Sequence, residues 1–171
     1  MKCTRLLVLL MSLTSTQLFA NTIHFSPEVK TGPYIGSGFS GYGIQLGLRD
    51  VYNMESIYLS YTDTQAQFLL IDEDQITTYR IGAQMNIPRN PYTSFQVEVG
   101  YATYNGTRNY WGSDNPTLEQ SGLSTSIAGV VALNDNFALK LGMDLNFLDK
   151  KSTYLSYSVA PTYSTGLILS F

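Results

Sequence analysis

YSVAPTYSTGLILSF, residues 157–171, is the stretch whose reading decides the fold. Every second residue counted back from the end, Phe171, Leu169, Leu167, Thr165 and Tyr163, makes a greasy face, while Ser170, Gly166, Ser164 and Thr162 make a small polar one. A period of two is a strand whose faces meet different media. Ile168 departs from the pattern by sitting on the polar side. Such a strand fits the half-buried edge of a soluble sandwich or the wall of a transmembrane barrel, and the rest of the chain has to decide.

The same alternation returns in seven further segments. Residues 22–30 set Ile23, Phe25 and Val29 against His24, Ser26, Glu28 and Lys30, with Pro27 tolerable only at an edge or a bulge. Residues 40–49 set Tyr42, Ile44, Leu46 and Leu48 against Gly43, Gln45, Gly47 and Arg49. Ile57, Leu59 and Tyr61 mark 55–68, and Tyr79, Ile81, Ala83, Met85 and Ile87 mark 75–87, opposite Arg80, Gln84 and Asn86. Phe95, Val97, Val99 and Tyr101 mark 93–104, opposite Gln96 and Glu98. Residues 120–133 follow, and 137–148 are the cleanest, with Phe137, Leu139, Leu141, Met143, Leu145 and Phe147 against Lys140, Asp144 and Asn146. Eight antiparallel strands are expected.

The beginning of the chain sets the compartment. Lys2 and Arg5 precede the short apolar run 6–13, and Leu-Phe-Ala closes before Asn21. This reads as a cleavable secretory signal over residues 1–20, its apolar run too short to span a bilayer, followed by a barrel domain over 21–171. The single Cys3 would leave with the signal, so no disulfide, cysteine metal site or other cofactor is expected. Without Lys2 and Arg5, eight basic residues face thirteen acidic ones, a formal charge of −5 that argues against nucleic acid as partner. Thirteen tyrosines and fourteen glycines beside only 13% charged residues suit a lipid-facing barrel better than a soluble surface.

Connection lengths alternate. Turns at 50–53, 88–91 and 134–136 are short, while those around Thr31, Phe68, Asn105 and Asp149 are longer or irregular. With both termini in the periplasm, the short turns lie there and the long loops outside, as in an even-stranded outer-membrane barrel. The polar faces carry Glu28, Lys30, Arg49, Arg80, Glu98, Lys140 and Asp144. In a lumen just wide enough for side chains these charges should pair with one another and with water, packing the interior rather than lining a pore.

On these strands and the terminal Phe171, the chain resembles the small outer-membrane barrels typified by the OmpA membrane domain and OmpX. The resemblance implies an all-β, eight-stranded, up-and-down transmembrane barrel, exported through the periplasm to the bacterial outer membrane. Its last strand, through Tyr163, Leu167, Leu169 and Phe171, would be read by the barrel-assembly machinery. It further implies a monomer in contact with outer-membrane lipid and lipopolysaccharide. Because the chain ends with the barrel, the peptidoglycan-binding domain of full-length OmpA is not expected. The function so read is structural, or contact with an extracellular ligand through the loops, and not enzymatic; the first alternative is a narrow channel.

The second alternative is a lipid A hydrolase. His24-Phe25-Ser26 has the His-x-Ser spacing of the lipid A deacylase barrels, and Glu28 follows on the same face. That family carries its dyad on a later strand, however, and here Phe25 faces lipid, which turns His24 and Ser26 toward the lumen. A hydrogen-bonded histidine near the periplasmic rim is the plainer reading. In the loops, Tyr110 and Trp111 are candidates for stacking on a sugar or for interface anchoring. Asp72, Glu73 and Asp74 form a loop tip able to meet a divalent cation, and residues 68–71 suggest a hairpin projecting above the membrane.

Overall fold

The computed structural model describes residues 23–32, 38, 40–68, 72–108 and 116–171. The expected signal segment, Tyr110, Trp111 and residues 69–71 of the expected hairpin lie outside them. The alternating segments form β1 (Ile23–Thr31), β2 (Ser40–Val51), β3 (Met54–Phe68), β4 (Asp72–Ile87), β5 (Asn90–Arg108), β6 (Thr117–Ala132), β7 (Phe137–Phe147) and β8 (Val159–Ser170). Each pairs antiparallel with its sequence neighbour, and β8 returns to β1 to close the barrel.

Burial is inverted relative to a soluble barrel. Leu141, Val29 and Leu59 point outward and are 67–68% exposed, while Lys140, Asp144 and Arg80 point inward and are 1–3% exposed. A soluble eight-stranded barrel fills its interior with apolar side chains; this one fills it with charge and amide. Its outer belt is the surface of a barrel immersed in hydrocarbon.

The closing seam is short. Ile23 N–H donates to the Phe171 carbonyl at 2.9 Å and receives the return bond at 3.3 Å. Between Phe25↔Leu169 and Glu28↔Gly166 the β1–β8 register is interrupted at Ser26 and Pro27, where proline has no N–H to give. At the end that holds Ile23 and Phe171, Tyr52 and Asn53 link β2 to β3 with φ of 50° and 63°, the two left-handed residues of a primed hairpin turn. The Asn134 side chain accepts from the N–H groups of Asn136 and Phe137, both at 2.9 Å, holding the β6–β7 turn.

At the opposite end the strands are unequal. β3, β4, β5 and β6 have 15 to 19 residues, against 9 to 12 for the other four, so these central strands project beyond the belt as one sheet. Asp72, Glu73 and Asp74 are therefore not a loop tip, as their acidity suggests, but the start of β4, opposite Phe68, Gln67 and Ala66 of β3. Acidic residues are poor strand formers on a half-buried sheet, but Glu73 lies exposed on the outer face and Asp74 on the inner face is paired with Arg108, which offsets that penalty. Residues 105–108 and 117–119, which read as a polar interval, are paired strand as well. Leu148, expected to end β7, instead enters the connection to β8 and is 2% exposed in the mouth of the barrel.

Candidate functional site

The lumen is built from the polar faces of the strands. Glu28 and Lys30 come from β1, Arg80 from β4, Glu98 from β5, and Lys140 and Asp144 from β7, and each of these six side chains is at most 2% exposed. They form a closed ring of alternating sign. Lys30 Nζ lies 2.7 Å from Glu28 and 2.8 Å from Asp144; Arg80 lies 3.4 Å from Asp144 and 2.7 Å from Glu98. Lys140 closes the circuit, 3.4 Å from Glu98 and in contact with Glu28. Three cations and three carboxylates cancel, and every ion touches two of opposite sign. That is the condition under which charge taken out of water does not remain a net cost.

Neutral groups supply further hydrogen bonds, although Asp144 Oδ1 and the Ser126, Ser164 and Tyr58 hydroxyls have no partner among the described residues. Ser60 Oγ donates to Glu98 at 2.8 Å, Arg80 donates to Ser124 Oγ at 3.1 Å, and Thr162 donates to Asp144 at 3.3 Å. Gln45 donates to both Glu98 and Gln96, Gln96 donates to Gln84 at 2.9 Å, and Gln84 donates to Ser94 at 2.7 Å. Arg49 does not belong to this network. It stands at the inner rim, 3.3 Å from Glu55 and donating to the Asp135 carbonyl at 3.1 Å, because β2 has already run down to its turn there. Asn86 is likewise exposed at that rim.

Below the ring, the His24 imidazole stacks on Tyr58 with centroids 4.9 Å apart and meets Gln45 Oε1 at 3.2 Å. Among the described residues the Ser26 hydroxyl has no hydrogen-bond partner, and Glu28 is held by two lysines. His24, Ser26 and Glu28 thus share a face without forming a relay. Gly47 and Gly82 flank Tyr58 in the register. A Cβ on Gly82 would stand 2.5 Å from the Tyr58 ring, so the absent side chains make the room that the phenol fills. We expect Gly82→Val to destabilise the barrel by about 1–3 kcal/mol, the usual cost of overpacking, read as a lower midpoint in urea.

The outer mouth is also filled. Ile76, Ala102, Tyr104, Leu148 and Ala160 form an apolar cluster against which Leu155 of the β7–β8 connection packs. Arg108 grips Asp74 through both terminal nitrogens, at 3.0 and 3.1 Å, and its guanidinium lies 4.0 Å over the Tyr154 ring. The Tyr104 hydroxyl donates to Asp74 and accepts from the Tyr154 N–H at 3.1 Å. Burial and the bond to Asp74 raise the Tyr104 pKa well above its ordinary value, so this hydroxyl stays a donor. The latch formed by Asp74, Arg108 and Tyr154 was not read from the sequence. Its only local sign is a charge pair at the ends of neighbouring strands, Asp72 opposite Arg108.

On the outside, Tyr61, Tyr79 and Tyr101 stand side by side on β3, β4 and β5, with centroids 5.2 and 5.5 Å apart, and Tyr42 joins at 6.5 Å. Tyr163, Leu167 and Phe171 of the last strand are 47–68% exposed on the belt, and Leu169 shares their face half-buried.

No family model matches the chain, and no curated protein matches it. Solved structures do. The attachment invasion locus protein Ail of Yersinia pestis is similar with a TM-score of 0.67 at 14% identity, over 88% of this chain and 97% of that one. The N-terminal β-barrel domain of Pseudomonas aeruginosa OprF is similar with a TM-score of 0.58 at 13% identity, over 88% and 98%. Neisserial surface protein A is similar with a TM-score of 0.56 at 15% identity, over 88% and 96%. The fold is that of the small eight-stranded outer-membrane barrels.

Proposed function

We propose that the protein is a closed, monomeric barrel of the bacterial outer membrane, and that its outward role is contact with an extracellular ligand, made by the projecting β3–β6 sheet and its loops. The observation that carries this reading is the pairing of a sealed lumen with an unsealed sheet. Six mutually neutralising charges cross the barrel and an apolar, latched mouth lies above them. At the inner rim a cavity of about 30 Å³ beside His24 and Glu55 is small enough to hold only trapped water. An ion crossing this lumen would have to part at least two buried salt bridges, which favours a plug over a narrow channel. The hydrolase alternative is not supported by His24 and Ser26, which make no dyad and face away from lipid.

The sheet has the opposite character. β6 pairs with β7 only as far as Leu123↔Phe147, so residues 117–122 present a strand edge without a β7 partner among the described residues. An open edge is a template for a partner's strand. The similar protein Ail is named for attachment and invasion and has been crystallised with the heparin analogue sucrose octasulfate, which supports a surface-contact role here. Outer-membrane lipid and lipopolysaccharide would surround the belt, and the exposed face of β8 would engage the assembly machinery.

Planar-bilayer recording tests the closed lumen: the purified barrel should give no discrete conductance steps, and Glu98→Ala should introduce them. Steps in the unaltered protein would return the channel reading to the front. Deleting residues 109–115 should remove binding to cells or matrix while leaving the barrel folded; binding that survives this would move the contact off the loops.

A further inference from the structure

Above the tyrosine row, the outward face of the projecting sheet is an ordered polar grid. The first row is Asp63, Thr77, Thr103 and Ser121, in register across β3 to β6. Above it lie Gln65, Gln75, Asn105 and Glu119, then a last row containing Glu73 and Thr107. None of the grid's positions holds a lysine or arginine, and none holds an aliphatic or aromatic anchor. Gln65, Asn105 and Glu119 are exposed, while Asp63 accepts both bonds of the Gln75 amide, at 3.1 and 3.0 Å.

Three features of this surface point to one occupant. Without cations it is unsuited to phosphate or sulfate, which proteins bind chiefly through arginine and lysine. Without a Trp, Tyr or Arg anchor in the grid it lacks what concentrates energy in a protein interface. Amides, hydroxyls and carboxylates over a base of exposed rings are instead the groups that meet a sugar's hydroxyls and its apolar face.

Direction supplies the source. The grid continues the lipid-facing side of the wall, so it looks sideways from the barrel. It rises about 15 Å above the ring row if the strands keep the usual tilt. What stands beside a barrel at that height is the sugar of its own neighbouring glycolipids. We propose, resting on the outer-membrane reading above, that the outer face of β3–β6 binds the uncharged part of the lipopolysaccharide sugar chain, with Gln65 and Asn105 as principal contacts and Tyr61, Tyr79 and Tyr101 as its floor.

The test uses the mature barrel in phosphatidylcholine nanodiscs, titrated calorimetrically with polysaccharide released from lipopolysaccharide by mild acid, with dextran and with heparin. The released polysaccharide should bind, heparin should not, and dextran should bind more weakly. Gln65→Ala with Asn105→Ala should weaken polysaccharide binding about tenfold, while heat-modified gel mobility shows the barrel intact. Tighter binding of heparin, equal binding of dextran, or an unaffected double variant would each overturn the inference. A barrel that enters nanodiscs yet binds no polysaccharide fails this inference alone; one that stays in solution without detergent or lipid takes the membrane reading down with it.

Discussion

Glu98→Ala is expected to cost the barrel about 3–5 kcal/mol, the penalty of leaving buried charge without its partner. Glu98 is the most connected carboxylate of the lumen: it receives Arg80 at 2.7 Å, Lys140 at 3.4 Å and Ser60 at 2.8 Å, and Gln45 as well. Its loss opens the ring on both sides. Of its carboxylate partners Arg80 keeps only Asp144, at 3.4 Å, Lys140 keeps only Glu28, and the lumen carries a net positive charge. The measurement is a reversible urea titration of barrel refolded in lipid, followed by circular dichroism and gel mobility. Arg80→Leu combined with Glu98→Leu should lose less than the two single changes added together, by about 1–3 kcal/mol, because the groups share a partner set. A single variant within 1 kcal/mol of the parent would mean that water already screens these charges and that the ring does not hold the wall together.

Leu141→Arg tests the other face, with an expected loss of about 2–4 kcal/mol in a bilayer. Leu141 is near the middle of β7, 68% exposed, and its neighbours across the wall are Gly129 and Thr165. On a soluble protein an arginine at so exposed a position would be close to neutral. The expected cost exists only because the surroundings are hydrocarbon. Gln65→Arg, on the projecting sheet, should change stability by less than about 0.5 kcal/mol in the same bilayer. If both substitutions were equally harmless, the belt would be facing water and the inverted burial would lose its explanation.

Much of this architecture was legible locally. Phe137 to Phe147 alternates without a break, and the strand it forms points each side chain as its parity says. The three short turns are written in Asn, Asp and Pro, which shape or interrupt a strand within a few residues. The projecting sheet was not legible. Asp72 to Asp74 read as loop because strand propensity describes a half-buried sheet, and the chain does not announce where its sheet leaves lipid for water. Ile168 departs from the alternation, and it lines the inner end of the lumen at 3% exposure beside His24 and Phe137. Arg49 shared the parity of the lumen charges and still falls outside their ring, since parity gives a direction and not a height along the barrel.

The sequence by itself determined which side of each strand faces oil and which faces charge, because side-chain direction in a strand repeats every two residues and needs no distant partner to be read. Only the tertiary structure decided which charge meets which. Lys30 and Asp144 are 114 positions apart, and Lys140 and Glu28 are 112. They meet because closing the sheet fixes its stagger, and the stagger sets the height at which each inward side chain crosses the lumen.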